Sequence, residues 1–428
     1  MKNIILKVLF TYIGLIAVYL VLMVLVHSIP TSKLDQNILK STKIIQKEGL
    51  YPKILNFKLF QLDNFTDVMM LNIVASADSK EPLKAAMDNY YWRSDNFMNL
   101  ANDTEKIINN DKSGLSMMSY GRYWQGYLIF LRPALLIFSY EQIRILHFIL
   151  LFSLLSIASI LIYKIISSKV AYVFLISLLF INFPIVPLSM QFSTVFYIAF
   201  TSIIILLLNR ETFKQDDKFF ILFFSIGSVT SFLDFLTAPL VTLGLPLTIY
   251  ILSGEEKLKK IMTVIKASIL WFVGYALTWS SKWIIGGLLT RTDIWSSAME
   301  STAKRTSNDY RGMEMTITNI FKFIWKTIEE MNLTTYFWLG IITIILIFIV
   351  YSILLVRNQK VIQKNLFLLL IAGMVPFWYL VLRNHSIQHG WFTWRALVVS
   401  VFALILFILN TTSIKNFKLT FLKLRKHE

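Results

Sequence analysis

The sequence predicts an all-α polytopic membrane protein of about ten transmembrane helices, on three observations. Of its 428 residues, 56% are hydrophobic and only 16% are charged, against about 45–50% and about 25% in soluble domains. The mean hydropathy is +0.62, and apolar runs long enough to cross a bilayer recur along the chain. Lys and Arg total 42 against 25 Asp and Glu, and the basic residues fall in alternate connections, as the positive-inside rule requires. The resulting +17 charge would suggest nucleic acid on a soluble chain; here it records topology. There is no cysteine, which excludes disulfides, thiolate metal sites and cysteine nucleophiles.

The first apolar run, 4–26, follows a short basic start (Lys2, Lys7). It is longer than a signal-peptide core of about 7–15 residues and no small-residue cleavage site follows, so 1–27 is predicted as an uncleaved transmembrane helix. Residues 28–141 make a long first external loop, too rich in Lys, Asp and Asn over 28–125 to sit in hydrocarbon. At its end, 127–138 is apolar but too short to cross and carries Arg132 and Pro133, which predicts an interfacial or re-entrant helix. Further spans are predicted near 142–163, 170–184, 191–208, 219–233, 236–252, 264–281, 335–356, 365–382 and 396–410. Between them lie a second external loop, 282–334, and an external turn, 383–395; a basic tail, 411–428, ends the chain.

With the N-terminus inside, alternate connections carry Lys164 and Lys169, then Arg210, Lys214 and Lys218, then Lys257, Lys259 and Lys260, then Arg357, Lys360 and Lys364. The tail adds Lys415, Lys418, Lys423, Arg425 and Lys426. Opposite connections around 184–187 and Asp234 hold no Lys or Arg. This places both termini in the cytoplasm of a multi-pass cell-membrane protein, and its polar chemistry outside.

The cytoplasmic side shows neither GxxxxGK[ST] nor GxGxxG, so nucleotide chemistry is not expected there. Outside, Asp63 and Asp67 are four residues apart and share a face if helical. A carboxylate desolvated at the membrane edge can serve as a general base; a solvated pair on a surface helix is the simpler alternative. Arg122, in Ser119-Tyr120-Gly121-Arg122-Tyr123-Trp124-Gln125-Gly126-Tyr127, and Arg132 suit phosphate through bidentate guanidinium bonding. The same residues also read as an interfacial aromatic belt.

The external turn holds Arg383, His385, His389 and Arg395 among Trp391, Phe392 and Trp394. The two His resemble half a metal site, but no Cys or carboxylate joins them in the segment, so no metal site is predicted and a cationic pocket for an anionic head group fits better. Asp234, between two apolar runs, is an ionisable residue at membrane depth, and its external partner nearest in sequence is Lys282. As alternatives, Asp234 ends a helix in an exposed loop and Lys282 snorkels.

Together these features resemble the GT-C superfamily of integral-membrane glycosyltransferases. The likeness covers nearly the whole chain: one helix, a long external loop with an acidic motif, then many helices and a second large external loop. The Tyr120–Tyr127 stretch is similar to the Arg-aromatic-Gly segment that leads into the second helix in several such families. The resemblance implies transfer of a sugar from a polyprenyl-phosphate donor to a hydroxyl of a glycan, lipid or protein acceptor. It implies Asp67 as the base with Asp63 in support, although family members commonly carry adjacent carboxylates or a DxD-like pair.

In that reading Arg122, Arg132, Asp234, Lys282, Arg383, His385, His389 and Arg395 surround donor and phosphate, and attack in one step inverts the anomeric carbon. Membrane lipids are further partners; nucleic acid is not. The sequence identifies no cofactor and leaves open a divalent cation. Two other readings stand beside it: a transporter or flippase for lipid-linked sugars, and a non-catalytic membrane subunit.

Overall fold

The computed structural model describes residues 2–254, 259–310, 312–331 and 359–411. The predicted span 335–356, Lys257, Arg357 and the basic tail lie outside the described residues.

The chain starts with an apolar helix, α1 (Lys2–His27), much of whose surface presents exposed Ile, Leu, Val and Phe side chains such as Ile5, Phe10 and Leu25. The first loop then folds as a small domain of α2 (Asp35–Glu48), α3 (Asn64–Ser76), α4 (Pro82–Asp88), α5 (Leu100–Ile108) and α6 (Leu128–Leu135). Between α4 and α5 lies β1 (Tyr91–Arg93), paired antiparallel with β2 (Ser116–Met118), which follows α5. Ile38, Val68, Leu71, Leu100 and Trp124 form its core against Tyr19 and Met23 of α1.

The bundle follows as α7 (Tyr140–Ile165), α8 (Ser168–Phe180), α9 (Met190–Leu208), the short α10 (Arg210–Phe213), α11 (Asp216–Leu233), α12 (Val241–Ser253) and α13 (Lys260–Thr290). Next come α14 (Ile294–Thr306), the hairpin β3 (Asp309–Tyr310) and β4 (Met313–Glu314), and α15 (Ile317–Met331). Last come α16 (Gln359–Val381), the short α17 (Arg383–Gln388) and α18 (Gly390–Thr393), and α19 (Val398–Thr411). The protein is mostly helical.

Among the described residues, six helical stretches are long and apolar enough to cross a membrane: Ile4–His27, Tyr140–Ile165, Met190–Leu208, Lys260–Thr290, Gln359–Val381 and Gly390–Thr411. Three more predicted spans coincide with α8, α11 and α12. Of these, α8 and α12 have 13 residues each, about 20 Å of helix. Local chemistry stops them early: Asn182 turns left-handed before Pro184 and Pro187, and Leu236, at φ 67°, breaks the chain ahead of Pro239.

The seventh predicted span, 264–281, falls within a helix long and apolar enough to cross a membrane, but its end needs correction. Its helix α13 runs 31 residues and closes only at Arg291, in the left-handed conformation, so Lys282 lies inside a helix rather than at its external end. The partner of α13 is α11, and glycines let the two backbones meet. A Cβ on Gly227 would stand 2.0 Å from the Trp271 carbonyl oxygen, and one on Gly274 would stand 2.1 Å from that of Phe224. Small residues at a helix crossing permit this approach.

Candidate functional site

Helix α3 begins where Asp63 caps it. Asp63 Oδ1 accepts from the Thr66 amide at 3.1 Å and Oδ2 from the Thr66 hydroxyl at 2.7 Å, satisfying a donor left open in the first turn. The Asp63 amide donates to Ser189 Oγ at 3.0 Å, which docks the cap against the chain entering α9.

One turn on, Asp67 is wholly buried. The Tyr140 hydroxyl donates to it, as do the first amides of α9, those of Met190 at 3.2 Å and Gln191 at 3.3 Å. Behind Tyr140 stands Arg144, one turn along α7. Its guanidinium donates to both oxygens of Glu48 at 2.8 and 2.9 Å, to Asn64 at 2.7 Å and to the Tyr140 hydroxyl at 3.0 Å. A buried carboxylate needs such company, because desolvation disfavours its charge.

Asp63, not Asp67, opens on a cavity of about 230 Å³. Asp63 and Gln191 share its wall with Arg305 of α14, with His385 and His389, and with Tyr120 and Tyr127. Tyr51, Phe65, Phe235, Trp391 and Phe392 add aromatic faces. Four buried polar atoms of the lining have no hydrogen-bond partner among the described residues: Tyr127 OH, Gln191 Oε1, Arg305 Nη1 and His385 Nδ1. Such groups are costly unless a ligand or water meets them.

Burial and then the charge of Asp67 push Asp63 up to about 7, against the Thr66 bonds and Arg395. Burial pushes Asp67 up to about 6, against the Tyr140 hydrogen bond, Arg144 and the two amides. His389 is held down to about 4 by burial and then by Arg305. His385 is lowered well below its ordinary value by burial, His389 and Arg305. At neutral pH the cavity therefore offers one carboxylate near its midpoint, one guanidinium and two neutral imidazoles.

The imidazole centroids are 4.7 Å apart, and His385 Nε2 lies 3.1 Å from the Leu236 carbonyl oxygen. Among the described residues, no group of three His, Asp or Glu side chains is arranged to hold a metal.

The other sequence-predicted residues lie elsewhere. Arg132 is fully buried and is a correction: its nitrogens donate to the carbonyls of Val26 at 2.8 Å, Val74 at 3.0 Å and Ile29 at 2.7 Å, so it clasps α1 to α3 instead of holding phosphate. Lys282 is a second correction. It neither lines the cavity nor snorkels, since its buried Nζ donates to the Ala86 and Met87 carbonyls at 2.8 and 2.9 Å and closes the end of α4.

Arg122 faces a separate cavity with Asp88, Ser119 and Asp293, and its guanidinium stacks on Tyr120, 4.6 Å from the centroid. Arg383 bonds Asn308 at 2.6 Å, tying α17 to the second loop. Arg395 is buried against the Phe192 ring at 4.0 Å and acts on Asp63 through its charge. Asp234 is buried in the turn between α11 and α12, accepting from the Thr237 amide at 3.0 Å. Burial raises it to about 7 against the Thr237 and backbone bonds.

Arg305 is the cavity cation that sequence reasoning missed. Its signal was the Lys304-Arg305 pair in the last turn of the polar helix α14. The Glu48–Arg144–Tyr140 support of Asp67 was also missed, because its members are 96 and 73 residues from their partners. No protein-family model, curated protein or solved structure matches this chain, so the cavity itself must carry any assignment of function.

Proposed function

We propose that this protein is an inverting membrane glycosyltransferase that uses a polyprenyl-phosphate sugar, with the Asp63 carboxylate as general base. The supporting observation is that Asp63 and Arg305 face one aromatic-walled cavity. In the reaction, the acceptor hydroxyl gives its proton to Asp63 as its oxygen attacks the anomeric carbon. The bond from that carbon to the phosphate oxygen breaks, and the phosphate leaves with the electron pair. A base is effective when its pKa lies near the working pH, and Asp63 stands near 7.

A phosphate leaving group needs positive charge and hydrogen-bond donors where its charge grows. The permanently charged guanidinium of Arg305 and an imidazole N–H supply them. Tyr51, Tyr120, Phe235 and Trp391 offer flat apolar faces to a sugar ring, and the long apolar helices beside the cavity suit a donor with a hydrocarbon tail. Asp67 is assigned to support rather than proton transfer, since Tyr140 and two amides already occupy it.

The test is complementation of a gene deletion with wild type, Asp63→Asn or Arg305→Met, reading surface glycans by mass spectrometry. Both variants are expected to reach the membrane at wild-type level and to leave the glycan missing. Restoration by Asp63→Asn would remove the base assignment. A deletion that keeps every glycan but traps a lipid-linked sugar in the inner leaflet would identify a flippase instead.

A further inference from the structure

The protonation state of His385 is set by the backbone behind it. Its Nε2 lies 3.1 Å from the Leu236 carbonyl oxygen. A carbonyl oxygen accepts hydrogen bonds and cannot donate one, so the contact requires the proton on Nε2. Burial, His389 and Arg305 keep the ring neutral, and a neutral imidazole protonated at Nε2 carries a bare lone pair on Nδ1. That Nδ1 is buried without a hydrogen-bond partner among the described residues. His385 therefore belongs to the cavity wall as an acceptor, which leaves His389 as the imidazole with an N–H to offer.

The Leu236 carbonyl is itself held in an uncommon conformation. Leu236 has φ 67°, which a bulky side chain adopts only where its surroundings impose it. Its side chain is buried in the bundle core, and Asp234 Oδ2 accepts from the Thr237 amide at 3.0 Å, closing the turn around it. Neither Asp234 nor Leu236 lines the cavity; both act on it through this carbonyl. We infer that His385 Nδ1 accepts a hydrogen bond from a ligand hydroxyl, and that Asp234 is a positioning residue that holds His385 in the accepting state. Gln191 Oε1 is a second buried acceptor without a partner in the same lining. Two such lone pairs repel a phosphate and suit a ring that carries several O–H donors. Within the proposed glycosyl transfer, on which this assignment of substrate rests, they take sugar hydroxyls while Arg305 and His389 take the phosphate. The tautomer itself does not depend on that reading.

The chain has five histidines, few enough for nuclear magnetic resonance of the full chain in nanodiscs, with the histidine nitrogens isotopically labelled, to resolve each ring. A bare and a protonated ring nitrogen resonate far apart. The His385 signals are assigned by their loss in His385→Asn or, if that variant does not fold, by elimination through variants of the other histidines. At neutral pH a bare Nδ1 and a protonated Nε2 are expected; a protonated Nδ1 overturns the inference. Asp234→Ala is expected to replace this single state by a mixture of tautomers, and Asp234→Asn, which keeps an oxygen for the Thr237 amide, to preserve it. If Asp234→Ala does not fold, Asp234→Glu, which misplaces the oxygen, takes its place. An unchanged His385 spectrum in that variant removes Asp234 from the positioning role. The ligand probes are neryl phosphate and its phosphodiesters with glucose, galactose, mannose, N-acetylglucosamine and arabinose. At least one sugar diester is expected to shift Nδ1 as a hydrogen bond to it forms, with Nε2 unmoved, and neryl phosphate alone to leave Nδ1 in place. No shift with any sugar, or an equal shift with neryl phosphate alone, overturns the hydroxyl contact. The titration is repeated in Asp63→Asn, where the Nδ1 shift is expected to persist without transfer, so loss of this contact and failure of the glycosyltransferase reading are seen separately.

Discussion

Asp63 and Asp67 differ in what their oxygens already do, and substitution separates the two roles. Asparagine caps a helix about as well as aspartate, so Asp63→Asn is expected to leave thermal unfolding within a few degrees of wild type while abolishing transfer. Asp67→Asn places an amide NH2 where Tyr140, Met190 or Gln191 donates, leaving buried donors opposed. A loss of about 1–3 kcal/mol is expected, measured as a lower melting temperature in detergent. The pH dependence follows from the same pair. Asp63 must be ionised to accept a proton, so the acid limb of kcat/KM is expected near pH 7 rather than near 4.

Removing the charge of Asp67 takes away a repulsion that raises Asp63, so in Asp67→Asn the limb should move to lower pH. The groups facing Asp63 are Tyr51, Thr66, Asp67 and Arg395, with Arg305, His385 and His389 across the cavity. Both imidazoles are held neutral at these pH values, so they do not generate the limb. An acid limb near 4 that ignores Asp67→Asn would separate the base from this pair.

At the scale of elements, the crossing of α11 and α13 sets the position of the aromatic residues above it. Trp279 and Trp283 near the end of α13 both donate to the Arg122 carbonyl at 2.9 Å, and Trp124 Nε1 donates to that of Thr278 at 2.6 Å. The segment 120–127 that carries Tyr120 and Tyr127 is thus hung on α13. Gly227→Leu forces the helices apart, with an expected cost of about 1–3 kcal/mol or more, seen as loss of folded protein on size-exclusion chromatography. Lys282→Met unties α4 without touching the cavity. Lower stability with kcat retained in the surviving protein is expected, whereas a role in phosphate binding would raise KM at unchanged stability.

At the scale of the whole molecule, hydropathy located the helices among the described residues well and their lengths less well. A sliding apolar pattern cannot detect the left-handed Asn182 and Leu236 that shorten α8 and α12. Nor does it extend α13 past Lys282, whose charge reads as a helix end although two carbonyls absorb it. The His385–Arg395 turn and the Asp63 motif were legible because ionisable residues next to apolar runs stand out. The division of labour between Asp63 and Asp67 was hidden, since Tyr140 and the start of α9 reach Asp67 only after folding.

The Arg132 clasp also bears on how the chain is made. Arg132 is encoded 106 residues after Val26, whose carbonyl it holds. At a synthesis rate of about 5–20 residues per second, that interval is roughly 5–20 s. During it, the Val26 and Ile29 carbonyls wait without the Arg132 side chain, and the domain built so far rests on α1 through apolar packing without this polar tie. The clasp is therefore a late closure, and an Arg132→Met chain should emerge at normal speed yet remain open to proteolysis between α1 and α2 long after synthesis ends.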